Sequence, residues 1–323
     1  MQRRSFIKSI AACTLLQNSY STSFAQESYP SRSVKVIIPF SPGSGTDVAG
    51  RIALEQLSSL MGQTFVIENK AGAGGSIGSS IIAKSDPNGY SLLINGAGHS
   101  AAPAVIPRLN YDPASDFSGI AMLGSVPNIL IVSPLLGIKT IHQLVEKGRS
   151  SHLTYASAGI GSATHWAAER FRLSANIKGT HIPFKGGPEA TSEVMSGRID
   201  FACMAVASTI SLINEGKLLP LAVSSPTRSS LLPNVPTTLE SGLKDSDYTF
   251  WIGMFAPQKT PRSIIDKLHL GLNKSLLSTA VIERMRTQGL EPMPLSPYEI
   301  DSLIRKEVLI YKELVKLIGM KSD

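Results

Sequence analysis

Short, dense apolar runs alternate with amphipathic stretches along this chain, and glycine-rich loops separate them. Val34 to Phe40 is continuously apolar apart from Lys35, as a strand buried on both faces would be. Asp47 to Leu60 places Val48, Ile52, Leu54, Leu57 and Leu60 at helical spacing, and Gly62 follows as a stop. Phe65 to Glu68 predicts a second strand, "NKAGAGGSIGSSIIAKS" a second glycine loop and helix, and "DPNGYSLLING" a turn and third strand. "AGHSAAPAV" is a further loop feeding a helix. Strand, loop and helix repeated in this way predict a parallel sheet with helices on its faces.

The pattern then restarts. "PNILIVSP" predicts a strand, Ile141 to Lys147 a helix, and "LTYAS" a strand running into the loop "AGIGSATH". A helix follows through Glu169 and Phe171, and "HIPFKGGPEA" leads into another. "IDFACMAV", "LLPLAVSS" and "TFWIGMFAP" predict strands, and two helices close the chain. The last carries an apolar face of Ile300, Leu303, Ile304, Leu314, Val315 and Ile318. The chain thus enters a second α/β unit and returns, with "PNILIVSP" and "FWIGMFAP" as the connecting strands. This divides it into residues 1–25 as an export signal, 26–130 plus 252–323 as one lobe and 131–251 as the other, with a cleft between the lobes.

The first 25 residues stand apart: Arg3, Arg4 and Lys8 without an acid, a short apolar stretch, then Ser23, Phe24 and Ala25 as a cleavage site. "RRSFIK" fits a twin-arginine signal, with the Sec route as the alternative. The segment "IAAC" ending at Cys13 has the form of a lipoprotein box but lacks a long apolar run before it. Without this segment the formal charge falls from +7 to +4, too mild to argue for nucleic acid. Only Cys203 then remains, so neither a disulfide nor a cysteine metal site is expected. About 298 residues can form their core by burial alone.

Ligands in open α/β sheets bind beyond the carboxyl ends of the strands. Four glycine-rich loops fall there: Ser41 to Asp47, Ala71 to Gly78, Gly96 to Ser100 and Ser157 to His165. Each precedes a helix, whose first amides are unpaired and carry partial positive charge. Ser44, Thr46, Ser162 and Thr164 can add hydroxyl donors. The lysine of a phosphate-binding P-loop is missing from "GSGTDVAG", and no arginine or lysine lies in any of the four loops, apart from Lys185 in the neighbouring "FKGG". The matching anion is modest in charge, such as a carboxylate. Taking one out of water costs several kcal/mol, and a charge-assisted hydrogen bond returns roughly 1.5–3 kcal/mol, so donors from both lobes are needed.

Tight strand-to-helix turns also need glycine, so one such loop alone decides nothing. Asp47 either contacts a ligand amine or caps its helix. Gly98 and His99 lie in a candidate loop, but a loop histidine, like His165, also serves as a local hydrogen-bond partner. Trp166 and Trp251 fit core or cleft wall, and Cys203 fits a buried small apolar residue. Gly74-Gly75-Ser76-Ile77-Gly78 matches a nucleophile elbow, giving a serine hydrolase through Ser76 as an alternative. The only downstream histidine in the last hundred residues is His269, mid-helix, which speaks against it.

The stretches "VKVIIPFSPGSGTDVAGR", "VIENKAGAGGSIGSSIIAKSDPNGYSLL", "LTYASAGIGSATHWAAERF", "IPFKGGPEATSEVMSGRIDF" and "GMFAPQKTPRSIIDKL" together resemble the Bug-type periplasmic receptors of tripartite tricarboxylate transporters. The resemblance covers nearly all of the chain beyond the export signal. It implies an α/β, two-lobed periplasmic-binding-protein fold of type II, the Venus-flytrap kind, without catalysis or cofactor. It implies a small organic carboxylate or amino acid as ligand, held by loop amides and waters, and a membrane permease as partner. A sensor kinase is the alternative partner, and a monomer is expected. Carried over, the binding positions are Ser41, Pro42, Gly43, Ser44, Gly45 and Asp47; Gly72, Ala73, Gly74 and Gly75; and Ser157, Gly159, Gly161, Ser162, Thr164, His165, Lys185 and Gly186. The chain departs from the family at Cys203, Met204 and Ala205, where many members read Phe-Asp-Asn. Met204 in place of the aspartate predicts a less polar pocket, suited to a monocarboxylate with an apolar body.

Overall fold

The computed structural model describes residues 29–184 and 186–318; the expected export signal and Lys185 lie outside the described residues, as does the side chain of Ile318. Two five-stranded sheets organise the chain. The first takes β1 (Val34–Ile38), β2 (Phe65–Asn69), β3 (Ser91–Gly96) and β4 (Phe117–Val126), and later β10 (Phe250–Pro257), in the order β2-β1-β3-β10-β4. The second takes β5 (Asn128–Val132), β6 (Leu153–Ser157), β7 (Gly179–Pro183), β8 (Phe201–Ala205) and β9 (Leu219–Val223), in the order β7-β6-β8-β5-β9. Each sheet is parallel except for one inserted strand: β10 runs antiparallel between β3 and β4, and β5 between β8 and β9.

Only Pro127 separates β4 from β5, so the outward crossing between sheets is a single residue. The return crossing lies beside it. The Tyr248 amide donates to Ser224 O next to the second sheet, and two residues later Phe250 pairs with Val126 in the first. The expected connecting strands are thus the antiparallel strands of their sheets, and the crossings sit at their ends.

Helix α1 (Gly45–Met61) follows β1, starts at the Ser44 cap and ends at Gly62, whose φ of 65° needs no Cβ. Ala49, Ile52, Ala53, Leu54 and Leu57 form its buried face. Helix α2 (Ser76–Ala83) lies so close to β1 that a Cβ on Gly78 would stand 2.8 Å from Pro39 Cβ. Helix α3 (Gly98–Val105) follows β3. In the second sheet α4 (Ile141–Ser150), α5 (Ala163–Ser174), α6 (Gly187–Met195) and α7 (Val206–Asn214) fill the crossovers. The chain closes with α8 (Arg262–Leu276), α9 (Thr279–Thr287) and α10 (Pro297–Ile318), three helices where two were expected, because Ser278 caps a new one.

Strands β4 and β7 escape the sequence pattern. Glycines interrupt the apolar run of β4, and packing requires one of them: a Cβ on Gly119 would lie 2.4 Å from Ile300 Cγ2 of α10. Strand β7 is an edge strand without a continuous buried face. The core has one cluster on the outer face of each sheet and a third that joins them. The joining cluster gathers Leu93 and Trp251 from the first lobe, Leu130 and Trp166 from the second, and Tyr311 of α10. Cys203 is buried within it, which pushes its thiol pKa up.

Candidate functional site

The first loop is built around a buried aspartate. Ser44 Oγ accepts the Asp47 amide and caps α1. Asp47 Oδ2 accepts from the Gly43 amide at 2.9 Å and from Arg51 Nε at 2.9 Å. Its Oδ1 accepts from Arg51 Nη2 at 3.0 Å and from Asn69 Nδ2 at 2.9 Å. Burial alone would raise the Asp47 pKa, but donors from Arg51, Asn69 and Gly43 prevail and hold it below the ordinary aspartate range. Asp47 is only 1 % exposed, its carboxylate is engaged by protein donors, and Ser44 rather than Asp47 caps the helix. Asp47 fixes the loop. Asn69 also donates to Phe40 O and thereby ties the end of β2 to the end of β1.

The second loop turns through four successive residues with positive φ: Gly72, Ala73, Gly74 and Gly75. The Gly75 amide donates to Gly72 O, while Ala71, Gly72, Ala73 and Gly74 are exposed. Nothing lies within 4 Å of a Cβ placed on Gly74 or Gly43, so these glycines answer to backbone conformation and leave open space in front of them.

In the second lobe Ser157 Oγ accepts the Gly159 amide, Thr164 Oγ1 accepts the Ala158 amide, and Ser162 caps α5 by accepting the His165 amide. His165 Nδ1 accepts the Gly161 amide at 3.1 Å. His165 is 3 % exposed and neutral, its pKa lowered to about 3 chiefly by burial and further by His181 and Arg172. Glu169 lies 4.0 Å from its Nε2, but Tyr155 and Arg172 engage that carboxylate, and burial prevails. The Phe184 amide donates to Ser157 O, which brings Gly186 and the start of α6 alongside this loop.

His99 is buried among aromatic rings. It is 1 % exposed among Tyr111, Phe117 and Phe255, and burial lowers its pKa to about 3. Its role is packing behind the third loop. Gly98 in front of it meets the other lobe: a Cβ there would stand 3.7 Å from Gly161 O, and one on Gly161 would stand 2.9 Å from Val105 Cγ2. The loops at the carboxyl ends of the two sheets therefore abut.

The expected binding residues thus divide into two groups. The amides of Gly43, Ser44, Asp47, Gly75, Gly159, Gly161, Ser162 and His165 are engaged within the loops themselves. Among the described residues, no partner engages the amides of Gly45, Gly72, Ala73, Gly74, Thr164 and Gly186. Thr46, Ala71, Ile160, Ala163 and Gly187 add amides of the same kind. Pro42 has no amide hydrogen, and Ser41 and Pro42 are exposed. Arg51 and Asn69 carry no mark in the glycine-loop pattern, although Arg51 stands four residues after Asp47, one helical turn away on the same face.

Ser76 begins α2, and among the described residues no histidine is bonded to it; the rings of His99, His181, His152 and His269 pair with Ser79, Ser157, Thr180 and Asn273. The described residues hold no metal-binding cluster and no helix long and apolar enough to cross a membrane. Open grooves of about 650 Å³ beside α4 and about 600 Å³ around Arg32, Lys35 and Lys84 lie away from these loops.

The sequence pattern of tripartite tricarboxylate transporter family receptors matches residues 49–320. The chain belongs to that family. Proteins named Bug are similar over most of the chain. BugT of Bordetella pertussis is 32% identical over 302 residues, 91% of this chain and 92% of its own. The structure of the periplasmic binding protein BugD superposes with a TM-score of 0.81 at 32% identity, covering 91% of this chain and all of that one. A Rhodopseudomonas palustris protein with adipate superposes at 0.82 and 29% identity over 90% of this chain and 98% of that one. MatC from the same organism, with bound malate, superposes at 0.79 and 29% identity, covering 89% of this chain and 100% of that one. This chain is a solute-binding receptor with the two-lobed type II fold.

Proposed function

We propose that this receptor captures a small organic carboxylate between its lobes in the periplasm and delivers it to the permease of a tripartite transporter. One observation carries the reading. Unengaged amides gather at the carboxyl ends of both sheets, from Gly45, Thr46 and Ala71 to Gly74 on one lobe and from Ile160, Ala163, Thr164 and Gly186 on the other. Three of these groups stand at the starts of α1, α5 and α6, where the helix dipole favours negative charge. The adipate and malate held by similar receptors are acids of this kind. Ser41, Ser44 and Ser162 complete the ligand's surroundings, whereas Asp47, His99 and His165 support the loops from behind.

Closure follows from the two-lobed arrangement. An acid bridging both amide groups makes more contacts when the lobes meet, so binding favours the closed state. Met204 is 1 % exposed beneath the start of α6, its sulfur 4.0 Å from where a Cβ on Gly187 would be. It offers the ligand no polar partner, which favours an acid with an apolar body.

A thermal-shift panel of monocarboxylates, dicarboxylates, tricarboxylates, amino acids and neutral sugars tests this reading. A carboxylate should raise the melting temperature by mass action. A neutral sugar succeeding where every acid fails would overturn it.

A further inference from the structure

We infer that His181, on the edge strand β7 and outside every glycine loop, is a positioning residue that sets the second lobe's ligand loop. The inference rests on the reading of that loop as an acid-binding surface. His181 Nε2 stands 2.6 Å from Ser157 Oγ. The same hydroxyl accepts the Gly159 amide at 3.1 Å and lies 3.0 Å from Gly159 O. A serine hydroxyl has one proton. All three contacts are satisfied together only if His181 donates through Nε2–H, the Gly159 amide donates to the same oxygen, and the hydroxyl proton goes to Gly159 O. Ser157 then closes a ring over Ala158 that holds Gly159 at a φ of 123°.

The imidazole is held on both sides. Its ring stacks on His165 at 3.8 Å between centroids and 10° between planes, and on Tyr155 at 5.2 Å and 23°. Tyr155 donates its hydroxyl to Glu169, which fixes the far side of the stack. His165 meanwhile receives the Gly161 amide. Two stacked histidines therefore anchor the loop on either side of Ile160, whose own amide is unengaged and whose side chain is exposed. Burial keeps both rings neutral, with His181 lowered to about 4, so the hydrogen-bond pattern holds across ordinary periplasmic pH. Phenylalanine would keep the stack but lose the donor. Glutamine would keep a donor at the same reach.

The experiment compares the mature protein with His181→Phe and His181→Gln. Amide hydrogen exchange by NMR, without ligand, should show Gly159 exchanging about 3- to 10-fold faster in H181F, the loss of one hydrogen bond, and returning toward the parent rate in H181Q. Titration with adipate and with malate should show affinity weakened by a similar factor in H181F and rescued in H181Q, while the melting temperatures of the ligand-free variants stay together. Unchanged Gly159 exchange in H181F, or failure of H181Q to restore it, overturns the positioning role and leaves only packing. If the parent protein binds neither acid, that counts against those acids as ligands, and the exchange measurement still decides the role of His181.

Discussion

Arg51 grips Asp47 through two hydrogen bonds, Nε to Oδ2 at 2.9 Å and Nη2 to Oδ1 at 3.0 Å, and Asp47 in turn holds the Gly43 amide. The aspartate is buried and the arginine half-exposed, so the pair anchors a loop more than it stabilises a surface. Asp47→Asn removes the charge and can accept on one atom only, so it leaves donors of Arg51 and Gly43 unmatched. It should lower stability by about 1–3 kcal/mol and weaken acid binding at least about tenfold. Arg51→Lys should fall between, because an ammonium cannot reproduce the paired contact. Denaturant melts and calorimetric titration check both.

Gly74 has a φ of 62° with open space where a Cβ would point. Gly74→Ala should cost roughly 1–2 kcal/mol of backbone strain. Gly74→Asn, whose side chain tolerates the left-handed conformation, should cost no more stability than alanine yet reduce acid binding much more, because the added atoms enter the space before the loop amides. Equal losses in melting and titration for both variants would show a plain turn.

Two buried histidines make the fold sensitive to acid. His99 and His165 have pKa values lowered from 6.5 to about 3 by burial, so the unfolded chain takes up protons that the folded one refuses. Stability is present above pH 6.5 and is lost as pH falls toward 3, by up to about 1.4 kcal/mol per pH unit for each. His181 acts in the same direction. Melting temperatures from pH 7 to pH 4 should fall steadily, and His99→Gln should flatten the slope.

Glu307 works the other way. Burial raises its pKa to about 7, against donors from Ser100 and Trp251 and the charge of Arg170. The folded state keeps the proton between pH 4.5 and 7 while the unfolded state releases it, so this stabilisation is lost as pH rises through 7. Glu307→Gln should gain on the parent by up to roughly 3 kcal/mol between pH 4 and pH 8. A constant difference between the two melting curves across that range would sink the assignment. The carboxyl sits where α10, β10 and α3 meet, beside Trp251, so tryptophan fluorescence should follow the same titration.

Apolar runs and glycine stops made much of the fold legible. The run at Val34 is continuous because β1 lies between two strands and under helices, and the spacing after Asp47 is helical because one face of α1 must be buried. The edge strand β7 and the glycine-bearing β4 have no such periodic signature; their pairing is decided by distant partners, His181 opposite Tyr155 and Gly119 against Ile300. For the site, the sequence determined which loops carry bare amides, since glycine and a helix start are local properties. Only the tertiary structure decided which amides remain for a ligand. That depends on side chains brought in from elsewhere, with Asp47 drawing on Arg51 and Asn69, and His165 lying against His181. Hydrogen-bond saturation is a property of the packed neighbourhood, and no single stretch of chain contains it.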